Sequence, residues 1–160
     1  IGGKLWMYTP RTDRKILIAG HLLRQSMMGS DLSYEDQMED HKLSYSYSAT
    51  FEKFVQFEGA RCAILNLVAR DKETTYQTRK AWINPENKTI LKEERFAKSG
   101  KLLKRILFKD YEIIGQRRFP RTMIFRDMLK ENTKTSYKFD VIKFDVQIPA
   151  KYFSQSILKR

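Results

Sequence analysis

The sequence is poor in reactive side chains, with one cysteine and two histidines in 160 residues. Cys62 has no partner in the chain, so a disulfide scaffold is excluded, and so few thiol and imidazole groups disfavour most zinc sites and nucleophilic triads. No apolar run approaches the roughly 18 to 20 residues of a membrane-spanning helix. There is no internal repeat and no low-complexity stretch. No charged-then-apolar leader is seen either, but the chain starts Ile1-Gly2-Gly3-Lys4 without an initiator methionine and runs straight into strand-like residues. This start reads as cut, with anything before Ile1, a signal peptide included, lying outside the sequence.

What is present is apolar and basic. Hydrophobic residues make up 41% and aromatics 12%, enough for one folded domain with a core rather than a disordered basic tail. Lys and Arg outnumber Asp and Glu 31 to 19, for a net charge of +12. The excess is +1 over residues 1–79, +6 over 80–120 and +5 over 121–160. Two readings compete: the solvated face of alternating, lysine-rich strands, or attraction to an anionic partner such as a membrane surface, an acidic protein or nucleic acid.

Period-two patterning dominates, which favours strands. Residues 4–8 and 14–19 flank the turn Thr9-Pro10-Arg11-Thr12-Asp13 and predict a hairpin. Residues 49–58 and 61–69 predict a second around Glu58-Gly59-Ala60, with Phe51, Val55 and Phe57 on one phase. Residues 80–83 and 89–96 flank Asn84-Pro85-Glu86-Asn87, and Ser99-Gly100 leads into 101–109. After Arg117-Arg118-Phe119-Pro120, the run 121–128 is extended. Residues 134–146 close the sheet, with a phase switch between Val141 and Ile142 that implies a bulge. Helical signals are few: a capped segment over 30–38 and a short terminal helix over 149–158. The fold class is therefore mainly β: a curved antiparallel sheet or unclosed barrel, with helices or loops as minor covers. Strands apolar on both phases, such as Ile106-Leu107-Phe108, need cover on each face or enclose an apolar cavity.

No catalytic set emerges, and no cofactor or metal site is expected. The acidic cluster Asp31, Glu35, Asp36, Glu39 and Asp40 lacks the spacing of a calcium loop and reads as a solvated helix start. His21 and His41 have no partner motif, and Ser26, Ser30 and Ser33 lack the glycines of a nucleophile elbow. Basic charge interleaved with aromatics is also a nucleic-acid footprint, but no RNA-recognition or cold-shock signature is present, and no nucleic-acid partner is expected. The segment Met27-Met28-Gly29-Ser30-Asp31-Leu32-Ser33-Tyr34-Glu35-Asp36 stands apart. It reads either as a mobile cover, with an apolar plug, a glycine hinge and a capped polar turn, or as a loop tucked into the core by its methionines.

That segment, with Leu5-Trp6-Met7-Tyr8-Thr9-Pro10 and Arg14-Lys15-Ile16 before it, resembles the LolA-like outer-membrane lipoprotein-sorting proteins. Similar later pieces are Lys80-Ala81-Trp82-Ile83-Asn84, Gly100-Lys101-Leu102-Leu103-Lys104, Pro120 with Met123 and Asp127, and Ile148-Pro149 followed by Phe153 and Leu158. The string departs from the family at Leu32 and Gln37, where an aromatic or another apolar residue is expected. The resemblance covers essentially the whole chain but lacks the family's signal peptide, N-terminal helix and first strands. Residues 1–160 are accordingly expected to form a single domain, the C-terminal part of a LolA-like lipid carrier.

The resemblance implies an unclosed antiparallel β-barrel whose concave face, under helices or loops, holds the acyl chains of a lipoprotein or related lipid in transit across the periplasm. It implies a donor at the inner membrane, an acceptor at the outer membrane, and no enzymatic step. Candidates for the cavity lining are Trp6, Tyr8, Met27, Met28, Trp82, Phe108, Met123, Phe125 and Phe139. Core packing is an equal alternative for each, since strand phase does not say which face is concave. The cover loop would comprise Gly29, Ser30, Asp31, Tyr34, Glu35 and Asp36. In an oxidising periplasm, Cys62 should be a buried, unpaired strand residue. The competing class is a non-carrying sensor or transporter accessory on the same fold.

Overall fold

The computed structural model describes residues 4–38 and 43–159. Strands dominate, and the chain divides into two compact units, Ile1–Asp40 with Lys143–Arg160, and His41–Ile142. Glu39, Asp40 and His41, read above as part of the acidic cluster and as a lone histidine, lie outside the described residues.

The first unit is built on a hairpin. Strands β1 (Leu5–Thr9) and β2 (Arg14–Ile18) pair antiparallel in the register Leu5↔Ile18 to Thr9↔Arg14. Pro10 opens the single 3₁₀ turn between them, and Asp13, left-handed at φ 49°, closes it. Further 3₁₀ turns follow at Gly20–Arg24 and Met27–Gly29, and then a one-turn helix, α1 (Tyr34–Gln37). The helix expected over 30–38 is thus only four residues long, because residues 26–33 close on themselves first. The terminal segment forms two 3₁₀ turns, Ala150–Phe153 and Gln155–Lys159, in place of a continuous helix. Lys15 Nζ donates to the carbonyl of Gln155 at 2.5 Å.

The second unit opens with a short helix, α2 (Leu43–Ser46), and continues as a seven-stranded antiparallel sheet. Its strands are β3 (Tyr47–Phe57), β4 (Ala60–Ala69), β5 (Thr78–Asn84), β6 (Thr89–Phe96), β7 (Leu102–Ile114), β8 (Arg117–Asp127) and β9 (Thr135–Lys138). Spatial order follows chain order, β3 to β9, and the sheet is not closed into a barrel. The β3–β4 turn needs a left-handed backbone at two successive positions, Glu58 (φ 47°) and Gly59 (φ 79°), and glycine supplies the second without a side-chain penalty.

Three expectations are corrected here. The pairing of β3 with β4 shifts between Phe51 and Lys53, so Glu52 is a bulge. Phe51 therefore pairs with Leu65 and Phe54 with Ala63 on one face, while Val55 and Phe57 pair with Cys62 and Ala60 on the other. Phe51, Val55 and Phe57 do not share a phase. The β7–β8 turn falls at Gly115-Gln116, and β8 begins at Arg117, so the strand takes in Arg117-Arg118-Phe119-Pro120 ahead of the run read from residue 121. The last strand stops at Lys138, so no bulge between Val141 and Ile142 is needed.

Across an antiparallel ladder, paired residues project to the same side. The row Phe51, Leu65, Ala81, Glu93, Ile106, Phe125 and Thr135 marks the first face. Its core is Tyr47, Leu67 and Ala81, against which Leu43, Leu65, Ala69 and Ile83 pack. The second face carries the ion pairs Lys80–Glu52 (2.9 Å), Lys92–Glu94 (3.0 Å), Arg105–Glu94 (2.9 Å) and Lys109–Glu58 (3.0 Å). Cys62, fully buried in β4, also belongs to this side, and burial pushes its thiol pKa up.

Candidate functional site

Of the aromatic and sulfur side chains singled out above, Trp6, Tyr8, Met27 and Met28 belong to the first unit and Trp82, Phe108, Met123, Phe125 and Phe139 to the second. Trp6 and Tyr8 lie on the same phase of β1, opposite Leu17 and Lys15, and the Tyr8 hydroxyl donates to Asp13 Oδ1 at 2.9 Å. Met7, on the other phase, receives the Tyr34 hydroxyl at 3.5 Å and so joins the hairpin to α1.

The loop that carries Met27 and Met28 is a closed, internally bonded piece. Ser26 and Ser33 form an antiparallel bridge. The Met27 N–H donates to the Leu32 carbonyl at 2.8 Å, the Ser30 N–H to the Met27 carbonyl at 2.9 Å, and the Ser26 hydroxyl to the Ser30 carbonyl. Met28 and Gly29, at φ 49° and 77°, make the sharp tip. The two methionines part company there: Met27 is half-buried, while Met28 is 85% exposed. Asp31, Leu32 and Ser33 are buried at the base. Ser33 then starts α1 with a capping box, accepting the Asp36 N–H at 3.2 Å while Asp36 Oδ2 accepts the Ser33 N–H at 2.8 Å. Ser33→Ala should therefore cost about 1 kcal/mol, read as a lower thermal midpoint; an unchanged midpoint would show that the bridge alone holds the loop.

Five candidates lie in the seven-stranded sheet, and the register divides them. Phe108 pairs with Met123, one step along from the Ile106–Phe125 pair, so all four project from the first face. Phe139 extends the ladder just beyond β9, its N–H donating to the Arg121 carbonyl at 2.9 Å. Its ring meets Phe119 at 5.7 Å, edge-on, and Tyr137 at 6.5 Å, and Tyr137 meets Phe125 at 5.4 Å. Phe119, Phe139, Tyr137 and Phe125 thus form a continuous row of tilted and edge-on rings along β8 and β9, in the geometry aromatic pairs prefer. Trp82 projects from the opposite face, with Lys92 Nζ 3.9 Å above its ring. Phe119 and Tyr137 were missed as site residues, although Tyr137 shares its strand phase with Phe139 and alternation alone could have found it.

Polar groups bracket this row. At its Phe119 end, Glu112 pairs with Arg121, whose guanidinium also donates to the carbonyls of Phe139 (2.7 Å) and Asp140 (2.9 Å). The Arg121 hydrogen bond holds the Glu112 carboxyl below its ordinary pKa. At the other end Lys104 pairs with Asp127 at 2.8 Å. On the opposite face of β7, the Tyr111 hydroxyl donates to the Ile90 carbonyl at 2.6 Å, and burial pushes its pKa up to about 12.

The β3–β6 half of the same face is different. Glu93 Oε1 accepts from Arg79 Nη1 at 3.0 Å and from Arg95 Nε at 2.7 Å, and all three side chains are less than a tenth exposed. The guanidinium of Arg79 lies over the rings of Tyr47 (4.6 Å) and Tyr76 (5.5 Å), and that of Arg95 over Tyr76 (5.2 Å). The Tyr47 hydroxyl donates to the Tyr76 carbonyl at 2.9 Å and fixes the stack. Part of the charge read above as a solvated strand face is thus interior. Among the described residues, no group of three or more His, Cys, Asp or Glu side chains is placed to hold a metal, and no helix is long and apolar enough to cross a membrane.

Three solved structures share this architecture. An outer membrane lipoprotein-sorting protein domain, so described, from Vibrio parahaemolyticus superposes with a TM-score of 0.82 at 23% identity, over 98% of this chain and 66% of that one. A DUF1329 family protein from Desulfovibrio piger gives 0.87 at 25%, over 97% and 64%. A LolA superfamily protein from Nitrosomonas europaea gives 0.75 at 23%, over 98% and 69%. The chain thus spans about two thirds of the length of each. No curated protein matches the sequence. The fold is LolA-like: an open, mostly antiparallel sheet with only short helical pieces. A family model described as "-like: Uncharacterized protein" matches residues 2–160, and the chain belongs to that family.

Proposed function

We propose that this protein is a periplasmic carrier that binds the acyl chains of lipoproteins or related lipids for sorting to the outer membrane, in a bacterium that has one. The observation that carries the reading is the apolar row on the first face: Phe108, Met123, Phe125 and Phe139, completed by Phe119 and Tyr137. The description of the Vibrio parahaemolyticus domain supports it. Each methylene moved from water onto such a surface gains about 0.8 kcal/mol, so an acyl chain binds tightly with few polar contacts. No bond is made or broken. Release then depends on a cover that moves or on a better acceptor, which fits a donor at the inner membrane and an acceptor at the outer one.

In this reading residues 27–36, with the exposed Met28 at their tip, are the candidate cover segment. The 160 residues are then the later part of a longer carrier domain, in keeping with relatives about half as long again.

Native mass spectrometry of gently purified protein tests the proposal. The expected result is co-purifying lipid, or uptake of an acylated peptide that displaces phenylnaphthylamine. A protein that stays empty and shifts no hydrophobic probe overturns it and favours a non-carrying envelope sensor or transporter accessory.

A further inference from the structure

The second face of β7, β8 and β9 carries no carboxylate. The side chains projecting from it are Leu103, Arg105, Leu107, Lys109, Tyr111 and Ile113 on β7, Arg118, Pro120, Thr122, Ile124 and Arg126 on β8, and Ser136 and Lys138 on β9. On β7 the cations are neutralised from neighbouring elements, Arg105 by Glu94 and Lys109 by Glu58. On β8 and β9, Arg118, Arg126 and Lys138 are exposed, and none forms an ion pair among the described residues. Arg105 and Arg126 stand directly opposite each other, a like-charge pair that costs stability in a sheet.

The β8–β9 turn extends this basic surface. A hollow of about 380 Å³ is lined by Arg126, Asp127, Met128, Lys130, Asn132, Thr133 and Lys134, so three cations surround it. Asp127, the one carboxylate of the lining, pairs with Lys104 and accepts the Leu129 N–H at 3.0 Å, and Glu131, exposed in the same turn, lies outside the lining. That bond shapes the turn and leaves Leu129 57% exposed among the bases.

We infer that the β8–β9 turn, with the cationic second face beside it, docks on an anionic lipid bilayer: Arg126, Lys130 and Lys134 meet the headgroup phosphates, and Leu129 enters the interface. A basic patch around an exposed aliphatic side chain suits a membrane surface, where charge attracts and an apolar group anchors. Nucleic acid fits less well. Single strands are held by stacking on aromatic side chains, and the rings of β8 and β9, namely Phe119, Phe125 and Tyr137, all project from the opposite face. The inference does not depend on acyl-chain carriage, because it uses the other side of the sheet.

Sedimentation with vesicles tests it. The protein should bind phosphatidylglycerol–phosphatidylcholine vesicles, bind pure phosphatidylcholine far more weakly, and release as salt rises. Arg126→Gln with Lys134→Gln should weaken binding about 30-fold, since each basic residue near an anionic surface contributes about 1 kcal/mol, while native mass spectrometry finds lipid uptake unchanged. Arg70→Gln with Lys72→Gln removes the same charge from the β4–β5 loop and should change binding far less. Leu129→Ser should reduce the binding that persists at high salt. Equal binding to neutral vesicles, an equal loss in the β4–β5 loop variant, or tighter binding to an oligonucleotide than to anionic vesicles would each overturn the inference.

Discussion

Glu93→Ala is expected to lower the stability of the protein by about 3–5 kcal/mol, more than any other single truncation of a charged side chain. The reason is desolvation. Glu93 receives Arg79 and Arg95 at 3.0 and 2.7 Å in a site where all three are less than a tenth exposed. Removing the carboxylate leaves two guanidiniums facing each other with less charge compensation, where water cannot replace the lost partner. Glu93→Gln should cost less, because it keeps an acceptor oxygen and loses only the charge. The measurement is the urea midpoint of each variant at unchanged slope. A loss below about 1 kcal/mol, the net value of an ordinary hydrogen bond, would show that the two arginines are held by other groups and that Glu93 is incidental. A stable wild-type site is no evidence that the ion pairs themselves stabilise the fold, since an apolar replacement of similar volume can do as well. Their contribution is register: Arg79↔Arg95 and Ala81↔Glu93 are successive pairs on one face, with Lys80↔Glu94 between them on the other, and a slip of one residue would carry the whole network to the opposite face.

The second large effect separates the two faces of the sheet. Phe139→Asp should weaken displacement of a hydrophobic probe by an acylated peptide about 30- to 150-fold, equivalent to about 2–3 kcal/mol for a polar group left unsatisfied in an apolar site. The chain fold should survive, because Phe139 is half-buried at the sheet edge and its backbone bond to Arg121 remains. Trp82→Asp should leave uptake unchanged, because Trp82 projects from the other face, where the new carboxylate can pair with Lys92 in place of the cation–π contact. The reverse result, with uptake lost at position 82 and kept at 139, would move the cargo to the second face.

The hairpins were legible because their turns carry local chemistry. Glu58-Gly59, Asn84-Pro85 and Ser99-Gly100 mark reversals that few other structures would place there. Bulges were not legible: nothing in Phe51-Glu52-Lys53 says that one residue will be left unpaired, yet that single step decides which aromatics share a face. Nor does Pro120 announce that it is accommodated in β8 opposite Tyr111, as the fourth residue of the strand. Most of all, Glu93-Glu94-Arg95 reads as solvated strand and is buried throughout. Part of the compensation comes from other strands, from Arg79 fourteen residues before Glu93 and Arg105 eleven residues after Glu94, and periodicity within one strand cannot see them. The candidate lining is read at the same two levels. Residue type selected the large apolar side chains, but only the ladder register shows that four of the five in this sheet face together.

The seven strands of this sheet lie side by side in the order in which they occur in the chain, so each pairs only with its immediate neighbours in sequence. Such a meander closes no long loops. Folding can begin in any of its hairpins and spread strand by strand, with a low entropic cost at every step compared with sandwiches whose pairings are remote. A sheet assembled this way has no obligatory last strand to lock it shut. That property lets the same scaffold be lengthened at either edge by further strands without rethreading what has already formed.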